Sequence, residues 1–499
     1  MKWMKVLSLL VIMSIVGACS AQNTSNHLKK DGQTVTIAVI GDKPKDIDAM
    51  YQKLDRLTKK EINAIVRFEF ISWQDWSNKY NLALTSNKQI DVIVTGDWMN
   101  YSQYAERNAF YDLTDLVKKE TPTLYQAIDE KTWDNSKING KLFAVPSTNV
   151  EFLNAGIMFR EDLRKKYQLP EINSMKTLEQ YFFTLMKKEN IKTPVLQNLA
   201  QGMIGSGFPY ISADSQGRST LAGYGLMVDP NNLSRSVFIY EKPAYHKLIT
   251  TMKNWASKGI ISKNLLNDTQ TKEELVKVGQ LPADLDSTVA KAGDWAVKTQ
   301  REVKEAAFDF VPYAHFTDYG GGLIYPTRPH HNMLAITKNS THPELGLKVI
   351  ELFHTNQDVY DLVTYGIKDL NYKITKDGKI DTATVDQQHL FSMPSWSWEV
   401  EKYRYEKFDE WPLLKQKKEE MKKQAKEDPF AAFVFDATNV QADLAALQQV
   451  KAQYIDPLEA GLVPDPDQAL EQVITKLNQA GLEKVQKDLD RQLQEYANK

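Results

Sequence analysis

Apolar and polar positions alternate along the chain with two different periods, and the changes of period mark its elements. Val35, Ile37, Val39 and Ile40 form a β-rich run that ends at Gly41, so order is expected from Thr34 with a first strand. A helical pattern follows to about Lys60, then a strand over 65–71. Ser72, with Asp75 in the reciprocal position, reads as the cap of a second helix. Ile90, Val92, Ile93 and Val94 make a short apolar run of the kind buried on both faces of a sheet. Strands alternating with helices predict α/β wrapping around a parallel sheet. Ligands of such sheets sit beyond the carboxyl ends of the strands, which makes Thr95, Gly96, Asp97 and Trp98 a candidate site.

A second α/β region is expected from 156 to 325, with one helix capped by Thr177 and Gln180 and another over about 245–258. Met333, Leu334, Ala335 and Ile336 predict a further strand. Thr341, Pro343 and Glu344 then read as a capping box with proline in the first turn, opening a helix through Leu347, Val349, Ile350 and Phe353. Near the end, Leu482, Val485, Leu489 and Leu493 fall at spacings of three and four and define one apolar stripe. The Lys- and Glu-rich stretch 415–427 is expected to be a solvated helix face rather than a docking surface.

The N-terminus changes the picture of where such a protein works. Lys2 and Lys5 precede an apolar stretch over 6–16, too short to span a bilayer, and Val16, Gly17, Ala18 and Cys19 form a lipobox. Residues 1–18 are therefore expected to be removed and Cys19 to carry a diacylglyceryl group, whose two acyl chains suffice for stable anchoring on the outer face of the cell membrane. Cys19 is the only cysteine, so the folded part has no disulfide. Residues 19–33 are polar and read as a tether. With 42% apolar residues and a formal charge of −2 the full sequence has the composition of an ordinary globular chain, and the near-neutral balance argues against nucleic acid as a partner.

Taken in order, the segments 91–98, 111–116, Trp133 with Asn139, Gly140 and Lys141, Val145 and Pro146, 156–162, 259–261, 292–296 and 333–353 resemble the extracellular solute-binding proteins of ABC importers, in particular the sugar-binding group that includes the maltose-binding protein. Ala480, Gly481, Leu482, Val485, Gln492 and Leu493 resemble the C-terminal domain of the LipO-type lipoprotein subgroup. The resemblance implies an α/β, two-lobed, periplasmic-binding-protein-like fold of class II, with chain crossings near 147–151 and 326–332 forming a hinge. It places 34–150 with 331–380 in lobe 1, 151–330 in lobe 2, and 381–499 in a mainly helical C-terminal domain packing on the lobes. It also implies a monomer that needs no cofactor, captures an oligosaccharide between its lobes and hands it to a membrane permease.

A sugar ring presents hydroxyls at its rim and C–H faces above and below, so its site needs flat aromatics together with carboxylates, amides and arginines. Asp97 and Trp98 suit both roles, and by the resemblance Trp295 lies in a cleft-facing loop. Glu151 and Tyr325 stand at the implied crossings, and Trp396 and Trp398 in an aromatic region of the family. Each tryptophan has core packing as its alternative, Trp396 and Trp398 especially, because residues two apart share one face of an extended strand. His330 and His331 are adjacent and lack further ligands at metal spacing, so no metal is expected; Gly320, Gly321 and Gly322 lack the lysine of a phosphate loop and read as a turn. No G-x-S-x-G, H-E-x-x-H or dinucleotide fingerprint is present, and the chain is not expected to be an enzyme. A surface polysaccharide-active enzyme, which needs only two carboxylates, and a glycan-binding adhesin are the rival readings, and a peptide the rival ligand.

Overall fold

The computed structural model describes residues 32–498 except 75, 87, 153–155, 192–193, 195–220, 230–231, 268–271 and 320–323. The export signal, Cys19, the tether and the glycines 320–322 lie outside the described residues. Two hydrophobic cores organise the rest.

The first core is built on a five-stranded sheet. Gln33–Ile40 lies between Ala64–Ile71 and Val92–Thr95 and runs parallel to both. All four residues of Val92–Thr95 are buried, as a strand covered on both faces must be. Met333–Ile336 comes next and is antiparallel, followed at the edge by Ala144–Pro146. The parallel expectation thus holds for the first three strands and fails at the fourth. Met333 pairs with both Thr95 and Pro146, so the chain leaves this sheet and re-enters it at the end where the parallel strands finish. A strand arriving from that end can only run backwards. Its helix, Pro343–Thr355, covers the sheet with Leu347, Val349, Ile350 and Phe353 fully buried.

The second core surrounds the three-stranded antiparallel sheet of Ala283–Ser287, Gly156–Arg160 and Phe308–Pro312. A hairpin of Leu226–Asp229 and Asn232–Phe238 packs on the last helix, Leu482–Ala497, whose predicted stripe of Leu482, Val485, Leu489 and Leu493 is buried.

The C-terminal chain, expected from 381 onward to pack on the lobes, is divided between these cores. Phe391, Met393, Trp398 and Val400 belong to the first core, and every fully buried apolar residue from Trp411 to Leu493 belongs to the second, while the half-buried Val434 packs on the first. The chain therefore crosses between the lobes a third time, between Val400 and Trp411.

Two caps differ from expectation by local chemistry. Ser174, not Thr177, caps Met175–Lys188, with Thr177 as its reciprocal partner, because the added turn buries Met175 and Leu178. Thr341 accepts from the Gln89 side chain, and Pro343–Thr355 starts on its proline without a side-chain cap. Ser72 accepts from the Gln74 backbone ahead of the helix Trp76–Thr85, and its expected partner Asp75 lies outside the described residues. No helix among the described residues is long and apolar enough to cross a membrane.

Candidate functional site between the lobes

The first two crossings run side by side as an extended ribbon. Ser147 donates its N–H to the Asn332 carbonyl (3.0 Å), Thr327 donates to the Glu151 carbonyl (2.7 Å), and Thr148 donates to the Glu399 carbonyl (3.1 Å), which ties the ribbon to the C-terminal chain. Beside it lies a cavity of about 570 Å³, walled by this ribbon, by the start of the helix Val289–Glu302 and by the segment that makes the third crossing. That volume is within the range of a small-molecule site.

Its floor is a connected set of charges. Glu151 Oε1 accepts from Lys418 Nζ at 2.9 Å and lies 3.6 Å from Arg404. Arg404 donates to Asn149 Oδ1 (2.7 Å), and Asn149 Nδ2 donates to Glu399 Oε2 (2.6 Å). Burial raises the proton affinity of Glu399, Arg404 opposes that, and the nearby charge of Glu151 adds to it. For Arg404 burial acts to lower the pKa, but Glu399, Glu151 and Glu401 outweigh it and the guanidinium is held charged. Glu151 Oε2 is buried and accepts no hydrogen bond from any described residue. A carboxylate is acceptor-only, and leaving such an atom unmatched costs roughly 1–3 kcal/mol, so Oε2, closed off from the cavity, is a cost of holding Glu151 in this set of charges.

Aromatic rings form another part of the wall. Trp396 borders the cavity and touches Trp98 at 5.5 Å between ring centroids. Trp98 is held by its indole N–H on Asn332 Oδ1 (3.2 Å), by the edge of Trp76 (5.5 Å) and by Trp73, stacked at 6.0 Å and 20°. Farther round, Tyr405 borders the cavity with its hydroxyl fixed on Asp361 Oδ2 (2.9 Å) and its ring against Tyr365 (5.6 Å).

Of the seven residues singled out from sequence, Glu151 and Trp396 border this cavity and Trp98 backs Trp396. Asp97 acts as a brace: its Oδ1 accepts from the Trp98 N–H (2.7 Å) and faces His331 Nδ1 (2.9 Å), fastening the sheet edge to the second crossing. Burial works to raise its pKa, but His331, His330 and Arg328 together hold it at about 2. Gly96 makes that approach possible, since a Cβ there would lie 2.0 Å from the His331 carbonyl oxygen. The other three are elsewhere. Trp295 is on the helix Val289–Glu302 rather than in a loop, half-buried under Lys298 at 4.5 Å, while its neighbours Gly293 and Asp294 reach the cavity wall. Tyr325 is buried away from the cavity. Trp398 is 0% exposed in the first core, because Ser395–Ser397 is a short 3-10 turn and not a strand, so the two rings part company.

Asn149, Glu399, Arg404 and Lys418 were not singled out from sequence; Lys418 lies inside the charge run expected to be plain solvated surface. Trp73 was missed although it follows the strand Ala64–Ile71 just as Trp98 follows Val92–Thr95. His330 is buried with Nδ1 on the Asn135 carbonyl (3.1 Å), and no group of three metal-ligating side chains occurs among the described residues.

Two cores, a crossing ribbon and a cavity at the carboxyl ends of the parallel strands define a class II solute-binding fold. Residues 42–359 match the family model of the bacterial extracellular solute-binding proteins, and the chain belongs to that family. Residues 429–498 match a domain of unknown function. Among its relatives is a carbohydrate ABC transporter substrate-binding protein of Streptococcus pneumoniae serotype 4, 23% identical over 97% of this chain and 96% of the relative. In three dimensions it is similar to the N-glycan transport solute-binding protein NgtS of Streptococcus pneumoniae in complex with Man1GlcNAc, with a TM-score of 0.73 and 19% identity over 94% of this chain and 100% of that one. It is also similar to an HMO-binding ABC-transporter-associated protein of Bifidobacterium longum infantis, with a TM-score of 0.66 and 14% identity over 93% and 98%.

Proposed function

We propose that this protein is the lipid-anchored capture component of an ABC importer, that it is not an enzyme, and that it takes an oligosaccharide between its lobes for delivery to a membrane permease. The observation that carries this reading is one cavity bordered by the aromatic rings of Trp396 and Tyr405 together with the polar side chains of Asn149, Glu151 and Arg404. The C–H face of a sugar ring and its hydroxyls answer those two kinds of surface together, whereas a purely apolar solute would desolvate the polar side chains without matching them. The named ligands of the similar proteins, glycans in each case, support the same choice. Closure follows from contacts made by both lobes at once, since only a ligand that binds the closed state better shifts the population toward it.

The test is thermal denaturation against a panel of neutral oligosaccharides and peptides, with product analysis of the same mixtures. At a ligand concentration a hundredfold above Kd, stabilisation of about 2.7 kcal/mol is expected with no cleavage. Turnover of a stabilising glycan would replace the importer reading with the enzymatic one, and stabilisation by peptides alone would replace the ligand class.

The anchor has its own test. Cys19→Ala should move the protein from the membrane fraction to the medium or leave it as an unprocessed precursor, because the thioether-linked acyl chains are the anchor in this reading. A variant processed at the normal position and still retained on membranes would refute the lipobox.

A further inference from the structure

Trp73 is 51% exposed, while Trp133, Trp255 and Trp398 are fully buried; among the described residues it is the tryptophan most open to solvent. A single exposed apolar side chain is ordinary, but this one belongs to a connected aromatic group. It follows the strand Ala64–Ile71, on the sheet edge where Val92–Thr95 also ends and where both sheet-to-lobe crossings begin. One face of its ring lies on Trp98, at 6.0 Å and 20°. Trp98 in turn contacts Trp396 at 5.5 Å, and Trp396 borders the cavity. The three rings form a continuous row from the cavity to the open surface.

The middle ring of that row is committed. Trp98 meets Trp73, Trp396 and the edge of Trp76, and its N–H is used by Asn332. It positions its neighbours and offers little surface of its own. Trp73 is the reverse: backed by a fixed ring, it needs no ordering on binding and keeps a face free, which is how a preorganised stacking platform gains affinity.

We propose that Trp73 is an outer stacking subsite for a sugar ring of a chain that starts in the cavity and continues past Trp396 into solvent. The ligand class is then an oligosaccharide longer than the cavity holds, bound with one end outside. The proposal rests on the carbohydrate reading above and extends it in one respect, the dependence of affinity on chain length.

The experiment is calorimetric titration of the wild-type chain, Trp73→Ala and Trp73→Phe with size-graded ladders, disaccharide to hexasaccharide, of gluco-, manno- and galacto-oligosaccharides and N-acetylglucosamine-containing chains. Trp73→Ala should bind the shortest effective member as the wild type does and lose about three- to tenfold in Kd for longer members, the worth of one aromatic stacking contact. Trp73→Phe should recover most of that loss, and the melting temperature of both variants should stay near that of the wild type because the side chain is largely in water. Equal loss at every length, or none at any length, overturns the outer subsite. If binding is intact at every length while uptake into cells falls, the face belongs to the permease instead. A wild-type chain that binds no ladder at any length refutes the carbohydrate reading itself, an outcome distinct from binding that ignores Trp73.

Discussion

Trp398→Ala should destabilise the first lobe by roughly 3–5 kcal/mol, the cost of removing a fully buried aromatic and leaving its cavity behind. The ring is 0% exposed and packs against Phe68 (5.9 Å) from the strand Ala64–Ile71 and Phe353 (5.6 Å) from the helix Pro343–Thr355. Its N–H donates to Thr364 Oγ1 (3.3 Å), so the truncation also strips a buried hydroxyl of a partner. The effect reaches beyond one contact. Trp398 is brought into this core by the chain between the second and third crossings, and loosening it frees Glu399, which receives the Thr148 N–H and the Asn149 amide of the first crossing. Urea unfolding should show an early midpoint for this variant. Any loss of ligand affinity should accompany this loss of stability, because the ring faces the core and reaches the cavity floor only through Glu399. Normal stability with lost binding would return Trp398 to the site and contradict its burial.

How far the sequence carried depended on the range of the interaction that fixes each feature. Val92–Thr95 was legible because burial on both faces leaves an uninterrupted apolar run, and the rule that ligands gather beyond strand ends then pointed to Asp97 and Trp98. The same rule applied to Ala64–Ile71 reaches Trp73. The direction of Met333–Ile336 was not legible, since four buried residues read the same either way and only the crossing from the second lobe fixes it. Gly293, Asp294 and Trp295 read as a loop, yet Gly293 is a helical residue facing Trp411 and Leu414, where an added Cβ would stand 3.6 Å from each. The charged floor was least accessible. Asn149 meets Glu399 and Arg404, and Glu151 meets Lys418, across about 250 residues or more, and no local period records such partners.

Glu459→Gln should stabilise the protein above neutral pH and change little in mild acid. Glu459 ends the short helix Asp456–Glu459 inside the segment that matches a domain of unknown function, and it is buried. The Tyr245 hydroxyl donates to its Oε1 at 3.1 Å, and the Tyr245 ring lies on Tyr240 at 4.4 Å. Burial pushes the carboxyl from an ordinary 4.5 up to about 8; Lys451 and the Tyr245 hydrogen bond oppose this, and Asp456 adds to it. The folded state therefore holds a proton between about pH 4.5 and 8 that the unfolded chain has released. With more protons on the folded side, stability falls as pH rises through that window and levels off above it. Glutamine keeps an acceptor for Tyr245 and never ionises, so the variant escapes the fall. The difference should be on the order of 2–4 kcal/mol at pH 9, where the wild type carries a buried carboxylate, and near zero at pH 5. Denaturant unfolding of both proteins at the two pH values decides it. A gain equal at both, or a loss at pH 9, would mean that Glu459 is ionised throughout and that Lys451 stabilises it as an ion.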